Sequence, residues 1–255
     1  MLSLYLNGST HGADAKGASR NGTVAMARFT RLETLVIMLR QGFVPLFHEA
    51  DEQTASSILS AVSAGGARVV EFTHRGDGAH EVFSALERRC RSDLPQTALG
   101  VGSVPDAGTA SLYINLGASF VVSSTLSEDV AAVCNRRKVP YLPGCATPTE
   151  IARAEELGVE IAKVFPGSAA GGPGFISAVL GPSRWTRLMP TGGVSPTRES
   201  LSAWFGAGAA CVGLGSQLIP ADEVRAGEWD AITARVREVA GLVAECRPVL
   251  AEEWA

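Results

Sequence analysis

A chain of 255 residues has room for one large α/β domain or two small ones. Its 46% apolar content is enough for a substantial core, and a net charge of −4 with no clustered basic face argues against nucleic acid as a partner. No apolar stretch approaches the roughly 20 residues needed to span a bilayer, so no membrane partner is expected either. Cys90, Cys134, Cys145, Cys211 and Cys246 are scattered and never form a C-x-x-C pair. That fits the reduced thiols of a cytoplasmic protein better than a disulfide frame or a zinc site. All four histidines lie at or before His80, without an H-x-x-H or H-E-x-x-H pattern, so no metal is expected.

Residues 1–25 are dominated by Gly, Ala, Ser, Asn and Thr without apolar periodicity. They read as a disordered leader, or as an extension upstream of a start at Met26. The opening Met1–Leu6 is too short for a signal peptide and lacks a basic flank. Residues 26–255 read as a single domain.

From Phe29 onward, short apolar runs alternate with helical patterns. The runs are Phe43–Phe47, Val69–Thr73, Ala98–Ser103, Phe120–Ser124, Tyr141–Cys145, Ile161–Phe165, Arg187–Gly192 and Cys211–Gly215. Each is nearly continuous in hydrophobicity, as expected for strands covered on both faces. Between them lie amphipathic segments such as Glu52–Ala64, Ala79–Cys90, Asp106–Leu116, Ser127–Arg137, Thr149–Leu157 and Arg198–Phe205. Asp51, Ser127 and Thr147 stand as N-caps, and Gly65, Gly117 and Gly158 as terminating glycines. Strict alternation with about eight repeats predicts a parallel eight-stranded (β/α)₈ TIM barrel. An open nucleotide-binding sheet would want G-x-G-x-x-G after the first strand, where the chain instead has Phe47-His48-Glu49.

In such a barrel the chemistry gathers at the C-terminal ends of the strands. Lys163 sits inside the apolar run Ile161–Phe165, on the same strand face as Ile161 and Phe165. Desolvation disfavours an ammonium there, and a deprotonated lysine is an amine nucleophile toward carbonyls. The alternative is an ion-paired or snorkelling lysine. Glu71 interrupts Val69–Thr73 in the same way and could meet Lys163 across the barrel, as a proton shuttle or as a structural salt bridge. Arg75 follows where that strand runs into its loop, suited to bidentate recognition of a carboxylate or else simply solvated. Pro190–Ser195 and Val212–Ser216 end the last two strands with glycines, where barrels often bind phosphate and where simple turns are the alternative. Gly171–Gly174 reads as a turning loop before a helix, either closing over a ligand or only connecting. Cys145 and His48 read as packing or rim.

These residues, in this order, resemble the class I aldolases that act on 2-keto-3-deoxy-6-phosphogluconate (KDPG) and on 4-hydroxy-2-oxoglutarate (KHG). The resemblance runs from about Gly42 to Ala240. It passes through Val44-Pro45, Gly66–Arg75, Gly100–Val104, Tyr141–Gly144, Lys163–Pro166, Pro190–Ser195 and Gly215-Ser216. It implies that Lys163 forms the Schiff base with pyruvate, that Glu71 shuttles protons and that Arg75 binds the keto-acid carboxylate. It further implies Thr191, Gly192, Gly193, Gly215 and Ser216 as the phosphate site, with Thr73, Ser103 and Phe165 contacting substrate. A homotrimer without metal or cofactor is implied as well. Three positions depart from the pattern. Ser103 replaces a common threonine, keeping a hydroxyl. Ser123-Ser124-Thr125 replaces a Ser-Pro end, altering the cavity wall, and Leu214 replaces a common glycine, narrowing the last phosphate loop.

The expected reaction is reversible cleavage of 2-dehydro-3-deoxy-6-phosphogluconate to pyruvate and glyceraldehyde 3-phosphate, so the partners are small molecules: pyruvate and an aldehyde, expected to be phosphorylated. The alternatives are cleavage of 4-hydroxy-2-oxoglutarate to pyruvate and glyoxylate, or of the phosphogalactonate epimer. Outside this chemistry stand a phosphate-binding barrel isomerase or synthase and a non-catalytic sugar-phosphate binding protein.

Overall fold

The structure, a computed structural model, describes residues 27–247. The leader expected over 1–25 and the start at Met26 lie outside the described residues. The chain opens with α1 (Arg31–Gln41), β1 (Phe43–Phe47), α2 (Glu52–Ala64), β2 (Val69–Thr73), α3 (Ala79–Ser92) and β3 (Ala98–Gly102). It continues through α4 (Ala107–Leu116), β4 (Val121–Val122), α5 (Glu128–Arg137), β5 (Tyr141–Leu142), β6 (Gly144–Cys145), α6 (Pro148–Glu156) and β7 (Ala162–Val164). The last third is α7 (Gly172–Leu180), β8 (Leu188–Pro190), α8 (Arg198–Gly206), β9 (Val212–Leu214), α9 (Ala221–Ala226) and α10 (Trp229–Cys246).

All strand pairs are parallel. They form a curled six-stranded sheet in the order β5-β4-β3-β2-β1-β9 and a three-stranded sheet in the order β6-β7-β8. The architecture is TIM-barrel-like, but the continuous eight-stranded sheet expected from the alternation is not what the hydrogen bonds draw. The expected fifth strand is split into β5 and β6 by Pro143, which has no N–H to give a ladder. Between β8 and β9 the ladder is reduced to the isolated bridge Thr191↔Gly213 and the Ala210 N–H bond to the Leu188 carbonyl just before it.

Alternation along the strands sorts their side chains into two layers. Phe43, Val70, Phe72, Leu99, Val101, Val121, Val164 and Val212 pack outward against the helices. Val44, Val69, Ala98, Phe120, Val122, Ile161, Met189 and Cys211 pack together on the other side, with Leu35, Met38 and Leu39 of α1. Fully burying one such side chain contributes roughly 1.5–3 kcal/mol. These inner residues sit at or near the N-terminal ends of their strands, so α1 closes the bottom and leaves the opposite end for polar groups. Gly100 makes room inside, because a Cβ there would enter the Phe120 ring.

The helices begin where short polar residues cap them. Asp51, Asp106, Ser127 and Thr147 each accept from a backbone N–H in the first turn of α2, α4, α5 and α6. Thr30 and Glu33 form a capping box on α1. Arg31 then ties α1 to Glu160, Asn135 and the Gly158 carbonyl. No described helix is long and apolar enough to cross a membrane.

Candidate active site

Two strand positions carry charge into the interior. On β2, Val69 joins the inner apolar layer, and Glu71 comes one pleat higher on the same face, 1% exposed. On β7, Lys163 follows Ile161 in the same way and is 6% exposed. Lys163 Nζ lies 4.0 Å from Glu71 Oε1 and 5.1 Å from the Phe165 ring centroid. The two groups are thus close enough to attract and too far apart for a direct hydrogen bond. Glu71 Oε2 is buried without a hydrogen-bond partner among the described residues, as is Thr191 Oγ1. Buried polar atoms are rarely left unpaired, and these two, on strands whose ends meet the glycine loops, suit a polar ligand.

Glycine makes this arrangement possible. Gly102 pairs with Thr73 across β2 and β3, and a Cβ on it would occupy the position of Glu71 Oε1. Gly213 likewise leaves space for Thr191 Oγ1. Gly192 and Gly193 follow β8 with φ of 86° and 82°, a left-handed conformation that glycine adopts without strain. A Cβ on Gly193 would also collide with Ser168.

The next residues on the same faces of the two strands, Thr73 and Phe165, reach a cavity of about 560 Å³, which Glu71 and Lys163 themselves do not line. Thr73, Arg75, Phe165, Thr191, Gly192, Gly193, Gly215 and Ser216 all line it. Thr73 Oγ1 donates to the Phe47 carbonyl, which spends its proton on the scaffold. Arg75 is exposed and makes no hydrogen bond or ion pair among the described residues. Behind it, His74 Nδ1 lies 2.9 Å from the Tyr113 hydroxyl, whose pKa burial pushes up to about 12.

Several expectations need correction. Leu214 does not narrow the last loop. It is fully buried and faces the helices, and Gly213 is the inward residue of β9. Ser123, Ser124 and Thr125 are not among the residues lining the cavity; Ser123 Oγ instead donates to the Val104 carbonyl. Ser103 stands half-buried after β3 with φ of 60° and is not among the cavity-lining residues either. Gly172, Pro173 and Gly174 form the first turn of α7 rather than a loop. Cys145, read as packing or rim, does pack in the outer core, with its thiol pushed up to about 12 by burial. His48, Glu49, Gln217 and Arg225 also line the cavity, and of these only His48 is singled out by the sequence, as packing or rim.

Residues 36–235 match the family described as KDPG and KHG aldolase. The chain belongs to that family. The KHG/KDPG aldolase of Escherichia coli K12 is 32% identical over 197 residues, covering 76% of this chain and 89% of that protein. The 2-dehydro-3-deoxy-phosphogluconate aldolase of Pseudoalteromonas atlantica is 34% identical over 201 residues, covering 78% and 90%. Among solved structures, the KDPG aldolase of Legionella pneumophila, with pyruvate captured at low pH as a covalent carbinolamine intermediate, superposes with a TM-score of 0.73. It is 25% identical, and the match covers 81% of this chain and 97% of that one.

Proposed function

We infer that this chain is a class I aldolase that cleaves 2-dehydro-3-deoxy-6-phosphogluconate to pyruvate and glyceraldehyde 3-phosphate. The observation that carries this reading is the buried Lys163 amine facing the buried Glu71 carboxylate at 4.0 Å, with Thr73 and Phe165, next on the same strand faces, lining the cavity. A salt bridge built only for stability is a poor reason to bury both charges, since the desolvation cost of such pairs offsets their attraction.

In the forward direction the Lys163 amine adds to the C2 carbonyl of the sugar acid, giving a carbinolamine. Glu71 supplies and removes the protons that expel water and leave an iminium. Glu71 then takes the proton of the C4 hydroxyl as the C3–C4 bond breaks, and the bonding electrons move into the iminium to give an enamine. The aldehyde departs, the enamine carbon is protonated, and hydrolysis releases pyruvate and restores the amine. Because the lysine supplies the electron sink, the chemistry asks for no cofactor or metal. Arg75 would hold the keto-acid carboxylate, with Thr73 and Phe165 as neighbours. Thr191, Gly192, Gly193, Gly215 and Ser216 would receive the phosphate.

The same reading takes residues 26–255 as one barrel, with β5 and β6 as one strand interrupted at Pro143 and the Thr191↔Gly213 bridge as the seam. It also takes the assembly as a homotrimer in the cytoplasm. The test of the reaction is kcat/KM on three purified keto acids: the phosphogluconate derivative, its phosphogalactonate epimer and unphosphorylated 4-hydroxy-2-oxoglutarate. Highest efficiency on the first supports the reading. A preference for the third moves the assignment to glyoxylate chemistry, and cleavage of none of them overturns it.

A further inference from the structure

β1 lies between β2, which carries Glu71 and Thr73, and β9, which leads into Gly215-Ser216. Its register, Phe47↔Phe72 on one side and Pro45↔Leu214 on the other, sets the residue after the strand, His48, on the cavity wall between the two. His48 is exposed and lines the cavity, yet none of the steps above uses it. Its ring is held in place. Nδ1 lies 3.2 Å from the Thr73 carbonyl oxygen, and the ring centroid is 6.2 Å from that of Phe72. A carbonyl oxygen can only accept, so Nδ1 carries the hydrogen of this contact, and in the neutral ring Nε2 is a bare acceptor. The next residue, Glu49, has Oε1 turned back to its own loop, accepting from the N–H groups of Ala50 and Asp51 at 2.7 and 2.9 Å.

We propose that His48 determines specificity for the aldehyde half of the substrate. Its Nε2 accepts a hydrogen bond from the hydroxyl on the carbon next to the aldehyde carbon, where the chain runs from Lys163 toward the glycine loops. The proposal rests on the aldolase reading above. It makes hydroxylated aldehydes preferred over those lacking that hydroxyl, because an aldehyde without it leaves the acceptor unpaired.

The test is condensation of pyruvate with glyceraldehyde 3-phosphate and with 3-oxopropyl phosphate, which lacks the hydroxyl. It compares the wild type, His48→Ala, and His48→Phe, which keeps a ring against Phe72 without an acceptor. Both variants are expected to lose about tenfold in kcat/KM on the hydroxylated aldehyde and little on the other. Equal losses on the two aldehydes, wild-type discrimination in His48→Phe, or no loss at all would overturn the proposal. Borohydride reduction with pyruvate alone, on the same three proteins, separates the two levels. Labelling in all three with unchanged discrimination sinks only the His48 role, whereas no labelling in the wild type sinks the aldolase reading beneath it.

Discussion

Glu71 and Lys163 stand on β2 and β7, strands of different sheets that never pair, and yet their side chains meet at 4.0 Å inside the molecule. The contact depends on the pleat of each strand placing one charged residue directly above an inner apolar one. If Glu71 moves protons, Glu71→Gln keeps the shape and removes the base. General acid–base groups contribute about 10²- to 10⁴-fold, so kcat should fall by an amount in that range. Steady-state cleavage assays check this, and an unchanged kcat would leave the carboxylate a purely structural role.

Gly102 offers an independent probe of the same carboxylate. Its backbone φ is not in the left-handed region, so alanine there suffers no strain of its own, but its methyl group would take the place of Glu71 Oε1. Gly102→Ala should therefore lower kcat as Glu71→Gln does, with a reduced melting temperature as the buried carboxylate is displaced. A variant with wild-type turnover would mean that the position of Glu71 does not matter to the chemistry.

Arg75 is exposed and unengaged by other described side chains, so its removal should cost the fold little. Arg75→Ala is expected to raise KM for pyruvate in the condensation direction while thermal unfolding stays close to wild type. Arg75→Lys should restore only part of the affinity, because an ammonium cannot reproduce the bidentate fork. If KM does not move, the guanidinium is a solvated loop group.

Much of this was legible in the chain before any coordinates. Phe43–Phe47, Val69–Thr73 and Glu52–Ala64 are strands and helix with the bounds that apolar runs and caps suggest. Lys163, Glu71 and Arg75 were conspicuous because charge inside or just beyond an apolar strand needs a reason. What escaped was strand phase. The sequence places Leu214 with the phosphate loop, and only the pleat shows that Gly213 is the inward residue and Leu214 the outward one. Cys145 is outward by the same logic, next to Gly144, whose Cβ would strike the Ser124 carbonyl. α1 had a readable signal, the capping pair Thr30 and Glu33, and α10 had another in the spacing of Ile232, Val236, Val239 and Val243. His48 reads in the sequence only as packing or rim, because its contact with Thr73 is one that a single sequence cannot place.

The cysteines supply a prediction free of substrate. Burial pushes the thiols of Cys90, Cys134, Cys145 and Cys211 up to about 12. The thiolate is the reactive form, so these four should resist alkylation in the native state until the medium is strongly alkaline. Only Cys246, which is partly exposed, should react quickly near neutrality, and all five should react once the chain is unfolded. Mass spectrometry of the intact protein after iodoacetamide counts them, and two or more fast native thiols would contradict the packing described.

The central claim, a covalent bond between the Lys163 amine and the ketone carbon of pyruvate, can be read in one spectrum. Wild-type protein incubated with pyruvate, reduced with borohydride and digested should carry a single added carboxyethyl group on the peptide containing Lys163, and Lys163→Met should carry none. An unmodified wild-type peptide, or the same mass increase persisting in Lys163→Met, would contradict the account.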